Sequence, residues 1–91
     1  SLVFDLINQL NKSVKKVDSH DPWADKKEVF KNHKIRLLSK PKHNNYDAVI
    51  VAVAHKNFSK SPSKINKFTK KNYIIYDLKH ILPKNKNNIR L

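Results

Sequence analysis

The chain reads as an α/β fold, a parallel sheet with flanking helices, on three observations. Residues 48–54 are an unbroken run of small and β-branched apolar side chains with no polar alternation, the pattern of a strand buried on both faces. Helical and strand periodicities alternate along the chain as helix, strand, helix, strand, strand, helix, strand. The apolar run closes on His55, Lys56 and Asn57, polar groups at the carboxyl end of a strand, where sheets of this type hold ligands. The run falls far short of the roughly 20 residues a membrane span needs.

Taken in order, Leu2, Val3, Leu6, Ile7 and Leu10 recur at helical spacing, which predicts an amphipathic packing helix over residues 1–12. Asp5, Asn8 and Gln9 interrupt the apolar residues, so the segment is not a secretory signal. Residues 15–20 read as a short strand stopped by Asp21-Pro22, because proline has no amide hydrogen for the ladder. Trp23 is expected to pack its loop against the core. Asp25 caps a helix over residues 26–32, with Glu28 at capping-box spacing and Val29 and Phe30 toward the sheet. Residues 35–38 suit an edge strand, and 39–45 carry turn chemistry in Pro41, His43, Asn44 and Asn45. The buried strand at 47–54 follows. Ser61-Pro62 then starts a helix with Ile65 and Phe68 as its buried pair, ended by Lys70-Lys71-Asn72. Residues 73–77 form a second buried strand, 78–82 a short turn or helix closed by Pro83, and 84–88 a polar, mobile tail before Ile89-Arg90-Leu91.

Ninety-one residues allow one small domain with a thin core. Without cysteine there is no disulfide, thiolate metal site or cysteine nucleophile, and a reducing compartment fits. The formal charge of +13 admits a polyanion partner. Lysine supplies 18 of the 20 basic residues, however, and asparagine occurs 11 times. That is the drift of an A- and T-rich genome, whereas a dedicated nucleic-acid surface uses more arginine for bidentate contacts. No glycine-rich phosphate loop can exist, since the chain has no glycine.

No complete catalytic constellation emerges. His20, His33, His43, His55 and His80 lack the close spacings of a metal motif. Ser59, Ser61 and Ser63 sit in a lysine-rich stretch without a nucleophile elbow. His55 and Lys79 are better placed for binding, because each follows a predicted buried strand.

Three blocks then carry a resemblance: His20-Asp21-Pro22-Trp23-Ala24-Asp25, residues 46–58 (YDAVIVAVAHKNF), and Ile75-Tyr76-Asp77-Leu78-Lys79-His80-Ile81-Leu82-Pro83. In this order and at these separations they resemble the C-terminal, UDP-binding domain of the UDP-glucose/GDP-mannose dehydrogenase family. The look is that of its bacterial UDP-N-acetylhexosamine 6-dehydrogenases, which make uronic-acid sugars for capsule and O-antigen polysaccharides. The terminal Arg90-Leu91 also looks like the end of those proteins. The resemblance covers essentially the whole chain.

It implies a Rossmann-like parallel sheet lacking its first strand, with residues 1–91 forming a single, partial UDP-binding domain of a cytoplasmic enzyme. Family enzymes oxidise the sugar C6 alcohol in two NAD-dependent steps, with the dinucleotide site and the catalytic cysteine in an N-terminal domain. No catalytic residue and no cofactor is therefore expected in this chain, which would not be active alone. Lys79 takes the place of the family's basic residue near the UDP phosphates. His55, in the loop bordering the nucleotide, and Arg90 complete the expected UDP contacts. Close members often carry glycine after that lysine; His80 stands there, so the turn is expected to avoid positive φ. Implied partners are a UDP-sugar and the N-terminal dehydrogenase domain. A homodimer is expected as well, because loss of the central strand leaves bare edges that recruit other strands. The alternatives are a small basic nucleic-acid-binding module and a non-functional gene fragment.

Overall fold

The structure, a computed structural model, describes residues 2–54, 63–84 and 88–90. It divides into two compact units, Ser1–Pro41 and Lys42–Leu91.

In the first unit, helix α1 (Leu2–Ser13) forms where the apolar spacing predicts it. Val3, Leu6, Ile7 and Leu10 are half-buried while Asp5, Asn8 and Gln9 face water. Helix α2 (Lys26–His33) begins at the predicted cap: the Asp25 carboxylate accepts the amides of Lys27 (2.9 Å) and Glu28 (3.1 Å). It ends at Lys34 in the left-handed region (φ 59°), whose amide donates to the Phe30 carbonyl. Such a cap ordinarily uses glycine. The Phe4 ring of α1 stacks on His33 of α2 with centroids 4.0 Å apart.

Three expectations change here. The strands predicted at 15–20 and 35–38 reduce to one parallel bridge, Ser19 to Leu37, with the Leu38 amide donating to the Ser19 carbonyl. Parallel pairing is the weaker kind, and among the described residues of this unit no third strand extends it. Phe30 is only half-buried, and its ring carries the Arg36 guanidinium at 4.2 Å and the Lys34 ammonium at 5.4 Å. Trp23 does not pack on a core: it is 73 % exposed. The Asp21 carboxylate accepts the Trp23 amide at 3.0 Å, so a side chain–backbone turn, not indole burial, orders this loop.

In the second unit, strands β1 (Tyr46–Val51), β2 (Thr69–Asp77) and β3 (Asn88–Arg90) form a parallel sheet in the order β1-β2-β3. The one-turn helix α3 (Ser63–Asn66) lies in the crossover between β1 and β2. The α/β class with a parallel sheet is thus as the alternation predicts. The core is Val51, Ile65, Ile75 and Leu82, with Val49, Tyr73 and Ile81 packed against it.

The strand at 47–54 differs from expectation. It ends at Val51, and it is not buried on both faces: Ala48, Val53 and Ala54 are exposed. On β2 the neighbouring Ile74 is 42 % exposed while Ile75 is 1 % exposed. Ile65 of α3 packs on the face that carries Val51 and Ile75. The opposite face keeps its apolar character without equal cover. The helix predicted from residue 61 is shorter than expected where described, and Lys70, Lys71 and Asn72 belong to β2. Thr69 explains the change: its hydroxyl donates to the Asn66 carbonyl at 2.8 Å, closing the turn, and the β-branched residue enters the ladder opposite Tyr46. A register irregularity between Tyr46 and Ala48 absorbs the extra residues, and Lys70 pairs with Asp47 at 3.3 Å. Finally, the end of the polar tail is ordered as strand β3, for reasons that lie in Asp77. No helix among the described residues is long and apolar enough to cross a membrane.

Candidate functional site

Parallel strands put all their carboxyl ends on one rim. There β2 finishes with Asp77, a carboxylate that is 0 % exposed. A buried charge is tolerated only when paired and hydrogen-bonded. Asp77 meets both conditions. Oδ1 accepts the Ile81 amide at 3.1 Å, and Oδ2 accepts the Leu82 amide at 2.8 Å. Oδ2 also lies 3.9 Å from Nε of Arg90, whose Nη2 donates to the Leu82 carbonyl.

These bonds fold residues 78–82 back over the strand end. The Leu78 amide donates to the Val51 carbonyl at 3.1 Å, tying the start of the turn to β1. The His80 amide lies 3.4 Å from the Asp77 carbonyl. Closing the turn requires a left-handed residue, and His80 takes that conformation at φ 55°. The expectation that His80 would avoid positive φ is therefore incorrect. The Asp77 bonds to Ile81 and Leu82 and the burial of Leu82 hold the turn together, and they impose a conformation that glycine would adopt without steric cost.

Lys79 and His80 are exposed on this turn. Asp77 and Arg90 form an ion pair with one another, and among the described residues the exposed Lys79 ammonium is in none. A lysine here is a flexible point charge with three donors, suited to an anion such as phosphate. Among the described residues no group of three or more potential ligands could hold a metal ion. The imidazoles there are used otherwise: Nδ1 of His20 lies 2.9 Å from the Leu38 carbonyl, and His33 stacks on Phe4.

Of the residues expected to contact a nucleotide, Lys79 lies on the turn and Arg90 lies behind it, joined through Asp77 and Leu82. His55 lies outside the described residues. Sequence reasoning missed the part played by Asp77, although an acid ending the apolar series Tyr73, Ile74, Ile75, Tyr76 signals a buried carboxylate in need of partners. It also missed β3, whose three residues are too few for a periodicity.

The family model described as "UDP-glucose/GDP-mannose dehydrogenase family, UDP binding domain" matches residues 1–84. The chain is 40% identical over 90 residues to the UDP-N-acetyl-D-glucosamine 6-dehydrogenase of Salmonella typhi. It is 33% identical over 90 residues to the enzyme of that name from Pseudomonas aeruginosa. Each alignment covers 98% of this chain and 21% of the relative, so the chain spans about a fifth of the length of these proteins. No solved structure matches. The expected resemblance thus holds, and the chain belongs to the UDP-glucose/GDP-mannose dehydrogenase family, as its UDP binding domain.

Proposed function

We propose that this chain binds the UDP moiety of a UDP-N-acetylhexosamine, with Lys79 against the diphosphate, and serves a nucleotide-sugar 6-dehydrogenase in precursor supply for a surface polysaccharide. The observation that carries the reading is the exposed Lys79 ammonium on a braced turn at the carboxyl end of a parallel sheet, in a chain of this family. His55 is assigned the second contact. The contribution is to position the sugar, not to perform the chemistry. The oxidation belongs to an N-terminal domain that brings NAD, acting in the cytoplasm. This chain's residues do not fit that cofactor, because the glycine-rich turn that takes a dinucleotide pyrophosphate cannot be built without glycine. The apolar outer face of the sheet, where Ile74 is exposed, favours a dimer of such chains.

Titration of the chain with UDP, ATP and GDP tests the reading. UDP is expected to bind best, and Lys79→Ala to weaken it about fivefold, as one partly solvated charge-assisted contact warrants. Equal, steeply salt-dependent binding of all three nucleotides would instead mark a non-selective basic surface.

A further inference from the structure

We propose that Arg90 is a positioning residue for the nucleotide turn: together with Asp77 it forms a latch through which strand β3 holds residues 78–82, and so Lys79, in their binding geometry. The inference rests on the reading that Lys79 contacts the diphosphate. β3 lies beyond residues 1–84, the part matched by the family model.

Four observations carry it. Asp77 is completely buried and aims its two oxygens at different partners within one turn, the amides of Ile81 and Leu82. Arg90 addresses the same short segment twice, with Nε toward Asp77 Oδ2 and Nη2 on the Leu82 carbonyl. The ladder places Asp77 directly opposite Arg90, so the pairing of β3 sets the two side chains on the same face. The Asn88 side-chain amide donates to the Pro83 carbonyl at 2.9 Å, a second tie from β3 to the residues just after the turn. A three-residue strand gains little from its ladder alone. Its side chains secure it, and in return it closes the turn from behind.

The geometry separates the latch from direct binding. A guanidinium that hydrogen-bonds the Leu82 carbonyl through Nη2 and faces Asp77 as an ion pair through Nε acts on the ligand through the backbone that presents Lys79. Arg90→Met keeps the length and apolar stem and removes the fork. Arg90→Lys keeps the charge but offers no planar fork for two partners at once.

The test uses the full chain, with amide hydrogen exchange at Ile81 and Leu82 read beside affinity for UDP and for uridine. Arg90→Met is expected to speed exchange at both amides about tenfold and to weaken UDP several-fold. Arg90→Lys should rescue neither effect fully, and Asp77→Asn should reproduce the exchange change, since its amide group cannot accept a bond at both ends. In Lys79→Ala the two amides should exchange as in the parent while the preference for UDP over uridine is lost. Weaker UDP binding by Arg90→Met with unchanged exchange would overturn the proposal and make Arg90 a direct ligand. Faster exchange with unchanged UDP affinity would overturn it too, leaving a purely structural pair. Lys79→Ala that leaves UDP binding intact would instead refute the site reading on which the latch depends. If Arg90→Met does not fold, Arg90→Lys carries the same two readouts.

Discussion

Replacing His80 by glycine should stabilise the protein, and the backbone sets the size of the gain. His80 sits at φ 55°, where an L-residue brings its Cβ against the following carbonyl at a cost of about 1–2 kcal/mol. Glycine removes that clash but brings a more flexible unfolded chain, which costs about 0.5–1 kcal/mol. Near the middle of both ranges the net gain is about 0.5–1 kcal/mol. For a domain of this size that corresponds to a rise in Tm of about 2–8 °C. The imidazole complicates a simple comparison with the parent, because its own interactions vanish with the ring. His80→Ala resolves this, since alanine loses the imidazole and keeps the Cβ. The measurement is thermal and urea unfolding of the parent, His80→Ala and His80→Gly, followed by circular dichroism. Glycine should exceed alanine by the amount above, and the hydrogen bonds from Ile81 and Leu82 to Asp77 should persist in both. An alanine variant as stable as the glycine variant would refute the reasoning, because the left-handed backbone at residue 80 would then carry no steric cost.

Two further predictions concern the separate units. Asp25→Ala should cost about 1 kcal/mol, since the Lys27 and Glu28 amides lose their acceptor at the start of α2; urea unfolding checks it, with Asp25→Ser as the variant that retains a cap. Ile75→Ala should cost about 3 kcal/mol by opening a cavity among Val51, Ile65 and Leu82, whereas Ile74→Ala, on the exposed face, should cost well under half of that; equal losses at the two positions would refute the one-sided burial of the sheet.

Several parts of this protein were legible without coordinates because they rest on local rules. The periodicity of α1, the Asp25 cap and the α/β alternation are short-range consequences of side-chain type and spacing. The family was legible for a related reason: three ordered blocks survive as sequence whatever their packing, and Lys79 could be placed by its offset from Asp77. What local rules could not supply was decided by tertiary pairing. The run at 48–54 is apolar enough for burial on both faces, but only the partner elements determine which faces are covered, and here one is. Lys70, Lys71 and Asn72 suit a helix end by charge, yet the ladder with β1 draws them into β2, since a strand is defined by its neighbour. The segment at 88–90 has no strand signal of its own. It becomes β3 because Asp77, at 0 % exposure, is matched across the ladder by Arg90. The same carboxylate closes the turn that forces His80 to positive φ, against the preference of its own residue type. Sequence thus determined α1, the capped helix α2, the α/β class, the family and the place of the lysine. The pairing of a buried acid with a distant arginine, which no spacing encodes, decided how that lysine is presented.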